Sequence, residues 1–247
     1  MRMGFTDIHN HLLYNFDDGP STYEDMCNLL CAAEQDAIES IIVTPHATPG
    51  ILPFSLDDYN RKFEEAVSYC REKQFDIALY PGSEILYTEM ALSFVREKRI
   101  PTLANTSYML IEFSPDVSYD TLEKGLMSFA QNGYFPILAH AERYLCLLHY
   151  PKRVQRLKKS APILLQLNCS SIISKKGFFS DHFCAYLLRE GLVDFVATDA
   201  HDVKARPVNM KLSFKHLRKN YGDEYALQLV GLGGNCVLDE YKKSILL

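Results

Sequence analysis

Seven short apolar runs recur along the chain, and six of them end in His, Asp or Glu. The first, Phe5–His9, opens the motif Asp7-Ile8-His9-Asn10-His11. Ser40–His46, Ile77–Glu84, Tyr108–Glu112, Pro136–His140 and Asp194–Asp199 follow the same plan, and His201 stands two residues after the last. Ile163–Asn168 is the run that ends in an amide instead. Aliphatic and β-branched runs of this length suit strands buried on both faces, as in parallel sheets. One polar strand end is a coincidence; six are a pattern. In barrels of alternating strands and helices, chemistry gathers at the C-terminal ends of the strands. The residues from His9 to His201 are therefore expected to converge.

The segments between the runs read as helices. Ser21-Thr22-Tyr23-Glu24 predicts a capping box ahead of Met26, Leu29, Leu30 and Ala33 at helical spacing. Ser55-Leu56-Asp57-Asp58 repeats that signal before a helix over Tyr59–Lys73. Further helices are expected over Glu89–Glu97, Tyr119–Asn132 with Gly133 as its stop, from Pro151 onward, and over Ser180–Gly191. Pro207 fits the first turn of another, and a last one is expected over Glu224–Val230. No linker or repeat divides residues 1–247, so one domain is expected. Strand–helix alternation implies a parallel sheet with outer helices. Ligand-type residues spread over so many strand ends favour a closed barrel over an open sheet, which would gather them at one switch point.

His9 and His11 lie two apart, so in a strand they share a face. Neutral imidazole is the commonest metal ligand, and two on one face can chelate one ion. Taken singly, each residue has a plainer reading. His9 and His11 fit an ordinary half-buried strand. Glu112 could be a carboxylate facing water, and His140 a structural histidine before Ala141-Glu142-Arg143-Tyr144. Asp18, in Asp17-Asp18-Gly19-Pro20, also fits simple turn chemistry.

The net charge of −5 over 247 residues gives no basic nucleic-acid footprint. An acidic protein that handles an anion must supply positive charge locally, from metals and a few arginines. No stretch reaches the ~20 apolar residues a membrane span needs. The start Met1-Arg2-Met3-Gly4-Phe5 leads straight into a strand. Seven cysteines without regular spacing argue against a disulfide framework. A cytoplasmic protein is expected. The Lys- and Arg-rich stretch from Lys152 to Lys159 reads as a solvated helix face rather than a binding patch.

Taken in order, Asp-x-His-x-His, Asp-Asp-Gly-Pro, Thr-Pro-His, Gly-Ser-Glu, Ile-Glu-Phe, Ala-His-x-Glu-Arg-Tyr and Thr-Asp-x-His resemble the PHP (polymerase and histidinol phosphatase) superfamily. Within it, the chain is similar to the bacterial tyrosine-protein phosphatases of capsular and exopolysaccharide gene clusters. The resemblance covers essentially the whole chain. It implies an α/β fold, a distorted (β/α)7 barrel, and three divalent ions. Manganese comes first, with iron, cobalt, zinc or magnesium as the other candidates. It implies that His9, His11, Glu84 and Asp199 hold one ion. Glu84 would bridge to a second, shared with Glu112 and His140, and Asp18, His46 and His201 would hold a third. Arg143 and Arg206 match arginines that grip phosphate. The implied substrate is a phosphotyrosine protein, the tail of a bacterial tyrosine kinase. The chain departs from some relatives at Ala47-Thr48-Pro49-Gly50-Ile51-Leu52, which is uncharged where they are basic, and at Asn235-Cys236, where they often have Asn-Pro.

Clustered divalent ions make hydroxide available at neutral pH, and bidentate guanidinium suits a phosphate. Asp202 and Glu142 are candidate general acids, and neither stands out. Tyr14, Phe16, Ile51, Leu52, Phe54 and Tyr87 would rim the site, with Tyr14 and Phe54 as substrate contacts; they could equally cover a core edge. A cysteine-dependent tyrosine phosphatase needs Arg six residues after Cys. The sixth residue after Cys146 is Lys152, and after Cys169 it is Lys175, so that chemistry is excluded. The rival readings are a histidinol-phosphate phosphatase on the same scaffold, more remotely a metal-dependent amidohydrolase, and, in another class, a regulatory protein that binds a kinase tail with little turnover.

Overall fold

The computed structural model describes residues 4–174 and 177–245. Each of the seven apolar runs is extended, and all pair in parallel in chain order. Two runs are broken. The second splits into β2 (Ile38–Val43) and β3 (His46–Ala47), the third into β4 (Ala78–Pro81) and β5 (Glu84–Leu86). Pro45 and Pro81 cannot donate to a ladder; β2 ends at Val43, just before Pro45, and β4 ends on Pro81, in register with Val43. Gly82 permits the close approach at the second break, where a Cβ would meet Ile42 Cγ2 at 2.7 Å. β1 (Phe5–Asn10), β2 and β4 form one sheet. β3, β5, β6 (Tyr108–Glu112), β7 (Phe135–Leu138), β8 (Leu164–Asn168) and β9 (Phe195–Ala197) form the other. The result is the distorted seven-run barrel.

The first and last runs close on each other. His11 N donates to Ala200 O and Asp199 N to His9 O, both at 2.9 Å. Buried Asp7 locks this seam. Its carboxylate accepts from Thr198 N (3.0 Å), Thr198 Oγ1 (2.5 Å) and Asn10 Nδ2 (3.0 Å). Burial raises the Asp7 carboxyl against the pull of those bonds.

Helices α1 (Tyr23–Gln35), α2 (Leu56–Glu72), α3 (Ala91–Arg96), α4 (Tyr119–Gln131), α5 (Leu145–Leu148), α6 (Lys152–Ser160), α7 (Cys169–Ile173), α8 (Phe178–Arg189), α9 (Met210–Tyr221), α10 (Asp223–Leu227) and α11 (Gly233–Ile245) fill the connections. The capping box of α1 is Thr22 with Asp25, one residue beyond the expected pair. Pro207 lies before α9 rather than in its first turn. The span Glu224–Val230 is helical as expected, as α10 followed by a π turn over Gln228–Leu232, and the helix runs on unforeseen into α11.

Two apolar layers result. The larger lies between the strands and the outer helices. The inner one joins Ile8, Ile42, Leu110, Ile137, Phe195 and Ala197 to Val237 and Leu238 of α11. That helix crosses the starts of the strands. Asn235 accepts from Thr6 Oγ1, Glu240 accepts from Ser107 N, and Tyr241 packs edge-on against Tyr80. The strand ends that carry the polar residues therefore face the other way.

Asp7→Ala removes the acceptor of the seam and strands buried donors on Thr198 and Asn10. Losing a buried charged acceptor costs about 3 kcal/mol. Asp7→Asn keeps one acceptor and should cost less. Denaturant unfolding of both variants checks this, and a loss below ~1 kcal/mol for Asp7→Ala would show that the seam closes without it.

Candidate metal centre

All nine residues singled out at the strand ends meet in one place. His9 is in β1 and His11 just past it; His46 and Glu84 open β3 and β5; Glu112 ends β6. His140, Asp199 and His201 follow β7 and β9. Asp18 comes from the loop after β1 and is exposed, while His9, His11, Glu84, His140, Asp199 and His201 are buried.

Glu84 sits at the centre. Its Oε2 lies 3.2 Å from His9 Nε2, 3.2 Å from His11 Nε2 and 3.0 Å from His46 Nδ1. Its Oε1 is 2.8 Å from His140 Nε2. Burial alone would raise this carboxyl, but the surrounding imidazoles outweigh burial and hold it well below the usual range. Asp199 Oδ1 lies 3.4 Å from His9 Nε2 and 3.5 Å from His11 Nε2. Glu112 Oε1 is 3.3 Å from His140 Nε2. Asp18 Oδ1 is 3.4 Å from His46 Nε2 and 3.2 Å from His201 Nε2. His46 reaches two groups at once, with Nδ1 towards Glu84 and Glu112 and Nε2 towards Asp18. His11 stacks on His201 with centroids 3.8 Å apart, so the third group adjoins the first.

The donor set fits divalent cations. Glu84 Oε2 and His201 Nε2 are buried and, although ionisable atoms lie 3.0–3.2 Å away, neither makes a well-aligned hydrogen bond among the described residues, as suits atoms aimed at a shared cation. His9 Nε2 and His11 Nε2 are 3.1 Å apart. Two ligands each ~2.1 Å from one ion and roughly at right angles stand about that far from each other. His11 Nδ1 donates to Asp17 (2.7 Å) and His201 Nδ1 to Asp199 O (2.8 Å), so both Nε2 atoms face the cluster. Burial opposes charge on His11, but Asp17 and Glu84 prevail and push it up to about 9; Asp18 and Glu84 do the same for His46, to about 11. Cations binding here would displace those protons.

Two ligand-type residues have left-handed backbones, His140 at φ 33° and Asp199 at φ 52°. Each costs about 1–3 kcal/mol in a residue other than glycine. Asp199 N–H is held by His9 O across the seam.

Both arginines stand at the mouth. Arg143 Nη2 lies 2.6 Å from Asp199 Oδ2 and Arg206 Nη2 lies 2.7 Å from Asp18 Oδ2, and each side chain is 41% exposed. Beside Asp18 and His46 opens a cavity of about 430 Å³ walled by Phe16, Leu52, Pro53 and Phe54. Tyr14 does not line it: its hydroxyl donates to Glu65 at 2.7 Å and accepts from Arg61. Tyr87 stacks on Phe113 instead. Asp202 turns into its own loop, accepting from the amides of Lys204, Ala205 and Arg206; burial raises its carboxyl but those bonds outweigh it and hold it below the usual range. Glu142 is buried and accepts from Asn168 N. Cys169 is fully buried with its thiol pushed well up by burial, against any nucleophilic role.

Sequence reasoning passed over Asp7, Asp17, Gln166 and Asn168. The signal for the last two was present: two polar residues, two apart, in an apolar strand.

A parallel barrel with carboxylates and imidazoles massed at its strand ends defines a PHP-type metal-dependent hydrolase fold. The family described as "Capsular polysaccharide synthesis, CpsB/CapC" matches residues 5–239, and the chain belongs to it. It is 33% identical over 229 residues to tyrosine-protein phosphatase CpsB of Streptococcus pneumoniae, covering 90% of this chain and 93% of that one. It is 28% identical over 224 residues to tyrosine-protein phosphatase YwqE of Bacillus subtilis, covering 90% and 87%. A crystal structure from work on YwqE and CpsB, described as metal-dependent tyrosine phosphatases, superposes with a TM-score of 0.86 at 25% identity, over 96% of this chain and 94% of that one. A β-aspartyl dipeptidase from Fervidobacterium islandicum shares the fold alone, with a TM-score of 0.57 at 11% identity over 95% of this chain and 72% of that one.

Glu84 touches residues of all three groups: His9 and His11, His140, and His46. Glu84→Gln keeps the shape and removes the charge. Elemental analysis of the purified variant should show a loss of more than one divalent ion per chain; unchanged content would remove Glu84 from a bridging position.

Proposed function

We propose that this chain is a metal-dependent protein-tyrosine phosphatase acting on the phosphorylated tail of a bacterial tyrosine kinase in capsular or exopolysaccharide synthesis. The observation that carries the reading is one mouth where two arginines flank the acid–imidazole cluster beside an aromatic-walled cavity. His9, His11, Glu84 and Asp199 would hold one ion, Glu84, Glu112 and His140 a second, and Asp18, His46 and His201 a third, with manganese as the first candidate. When bound, divalent cations supply Lewis-acid charge and a water acidified enough to attack phosphorus.

The chain's own residues do the rest. Arg143 and Arg206 leave their carboxylate partners to grip the equatorial phosphate oxygens, where bidentate guanidinium fits. Phe16 and Phe54 meet edge to face at 5.1 Å and offer a flat apolar wall to a phenyl ring. A phenolate leaving group, with a conjugate pKa of ~10, needs less proton donation than an alkoxide. That suits a site where Asp202 is tied up and Glu142 is buried. No helix among the described residues is long and apolar enough to cross a membrane; the proposed place of work on a kinase tail is the cytoplasm.

Exhaustive chelation should abolish phosphotyrosine turnover and Mn²⁺ should restore it, while Cys169→Ser should leave activity and metal content intact. Activity that survives chelation would sink the metal-dependent reading.

Arg143→Ala should lower kcat/KM for phosphotyrosine peptides at least ~100-fold with metals retained, since it removes charge that stabilises the transition state. Phe54→Ala should raise KM modestly and spare kcat, because an aromatic contact is worth ~1 kcal/mol. Faster turnover of histidinol phosphate than of phosphotyrosine peptide by the native chain would overturn the assignment.

A further inference from the structure

β8 carries two polar side chains, Gln166 and Asn168, into the buried space beneath the cluster. They lie two apart and so share a face, among Leu164, Leu165 and Leu167. Buried primary amides need partners, and here the direction of every bond is fixed from both ends. Asn168 Nδ2 meets Asp199 Oδ2 at 2.6 Å. A carboxylate only accepts, so the Asn168 NH2 faces it and the Asn168 carbonyl faces Gln166. Gln166 Nε2 then donates to Asn168 Oδ1 at 2.8 Å. At the other end Gln166 Oε1 accepts from the backbone N–H of His140, also at 2.8 Å. A backbone N–H only donates, so both ends require the same orientation of both amides.

That same Gln166 Oε1 lies 3.2 Å from His9 Nδ1. An amide oxygen has no proton to give, so His9 Nδ1 carries one. His9 Nε2 is then the atom aimed at Glu84, Asp199 and His11.

We propose that Gln166 and Asn168 are positioning residues of the cation site. Gln166 holds His9 with Nε2 free to ligate, and the pair registers His9, His140 and Asp199, which come from three different strand ends. The two left-handed residues, His140 and Asp199, are the ones this relay grips. Asn168 N–H continues it to Glu142, next to Arg143. The strand end without a ligand thus supplies the outer support for ligands on its neighbours. Such partners fix imidazole orientation and shape metal affinity.

The inference rests on reading the cluster as a divalent-cation site, and the experiment separates the two. Full-length chain is titrated with Zn²⁺ against a chromogenic chelator, and long-range ¹H–¹⁵N spectra of the Zn²⁺-loaded chain report each imidazole. In the native chain His9 should be protonated at Nδ1 and bonded at Nε2. Gln166→Met, of similar length but without the acceptor, should bind Zn²⁺ ~10–100-fold more weakly. Gln166→Glu keeps an acceptor for His9 and should bind more tightly than Gln166→Met. A His9 ring protonated at Nε2 in the native chain, native affinity in Gln166→Met, or no gain in Gln166→Glu overturns the relay. A native chain that takes up no Zn²⁺ overturns the cation-site reading itself. The spectrum of the native chain keeps the test valid if a variant fails to fold.

Discussion

The seam between β1 and β9 is where fold and site become one problem. His9 and His11 stand on one side of it, Asp199 and His201 on the other, and the bonds that close the barrel are made by these same residues. Asp199 N–H reaches His9 O and His11 N–H reaches Ala200 O. A parallel ladder needs its first and last strands brought together across the whole chain, and that loop-closure entropy is recovered only when the seam forms. Asp7 recovers much of it at one buried point, by accepting from Thr198 and Asn10. Any slip in the seam would move four candidate ligands at once.

A cluster so charged sets terms for the rest of the molecule. Glu84 is buried among four imidazoles, and an unpaired carboxylate there would be prohibitive. The surrounding structure must therefore be rigid enough to keep opposite charges in register. Two layers serve this. The inner apolar cluster, capped by α11, fills the barrel below the site. Above it, Asp17 and the Gln166–Asn168 pair orient imidazoles and carboxylates from behind. Left-handed His140 and Asp199 persist because those bonds over-determine them.

The strand ends were legible because they superimpose two signals: an apolar run and a terminal ligand type. What a single run could not show was its break. His46 and Glu84 reach the cluster because β2 stops short of Pro45 and β4 stops at Pro81, and the runs restart as β3 and β5, a displacement that depends on partners elsewhere in the sheet. Tyr14 looked like a rim residue from its place after His11, yet Glu65 and Arg61 of α2 claim its hydroxyl. That contact joins segments far apart in sequence, so periodicity is blind to it. The α11 helix was missed because its role is to close the barrel's lower end, which local pattern does not announce. Asp17 was hidden by its neighbour: in Asp17-Asp18-Gly19-Pro20 one aspartate supports His11 and the other faces His46 and His201.

Under the proposed function, the two mouth arginines explain how an acidic protein would bind an anion. Arg143 pairs with Asp199 and Arg206 with Asp18, and both carboxylates belong to the cluster. Without divalent cations at the cluster, those carboxylates pair with the guanidiniums as well as with the imidazoles. Divalent cations at the cluster would neutralise Asp199 and Asp18, weakening both grips in one event and leaving two bidentate donors at the mouth. Metal binding and phosphate binding are then coupled through shared carboxylates, and by linkage the coupling runs both ways. The net charge of −5 is therefore no obstacle. Attraction for phosphate would reside in a few charges at the mouth whose balance changes with occupancy, while the rest of the surface can stay acidic.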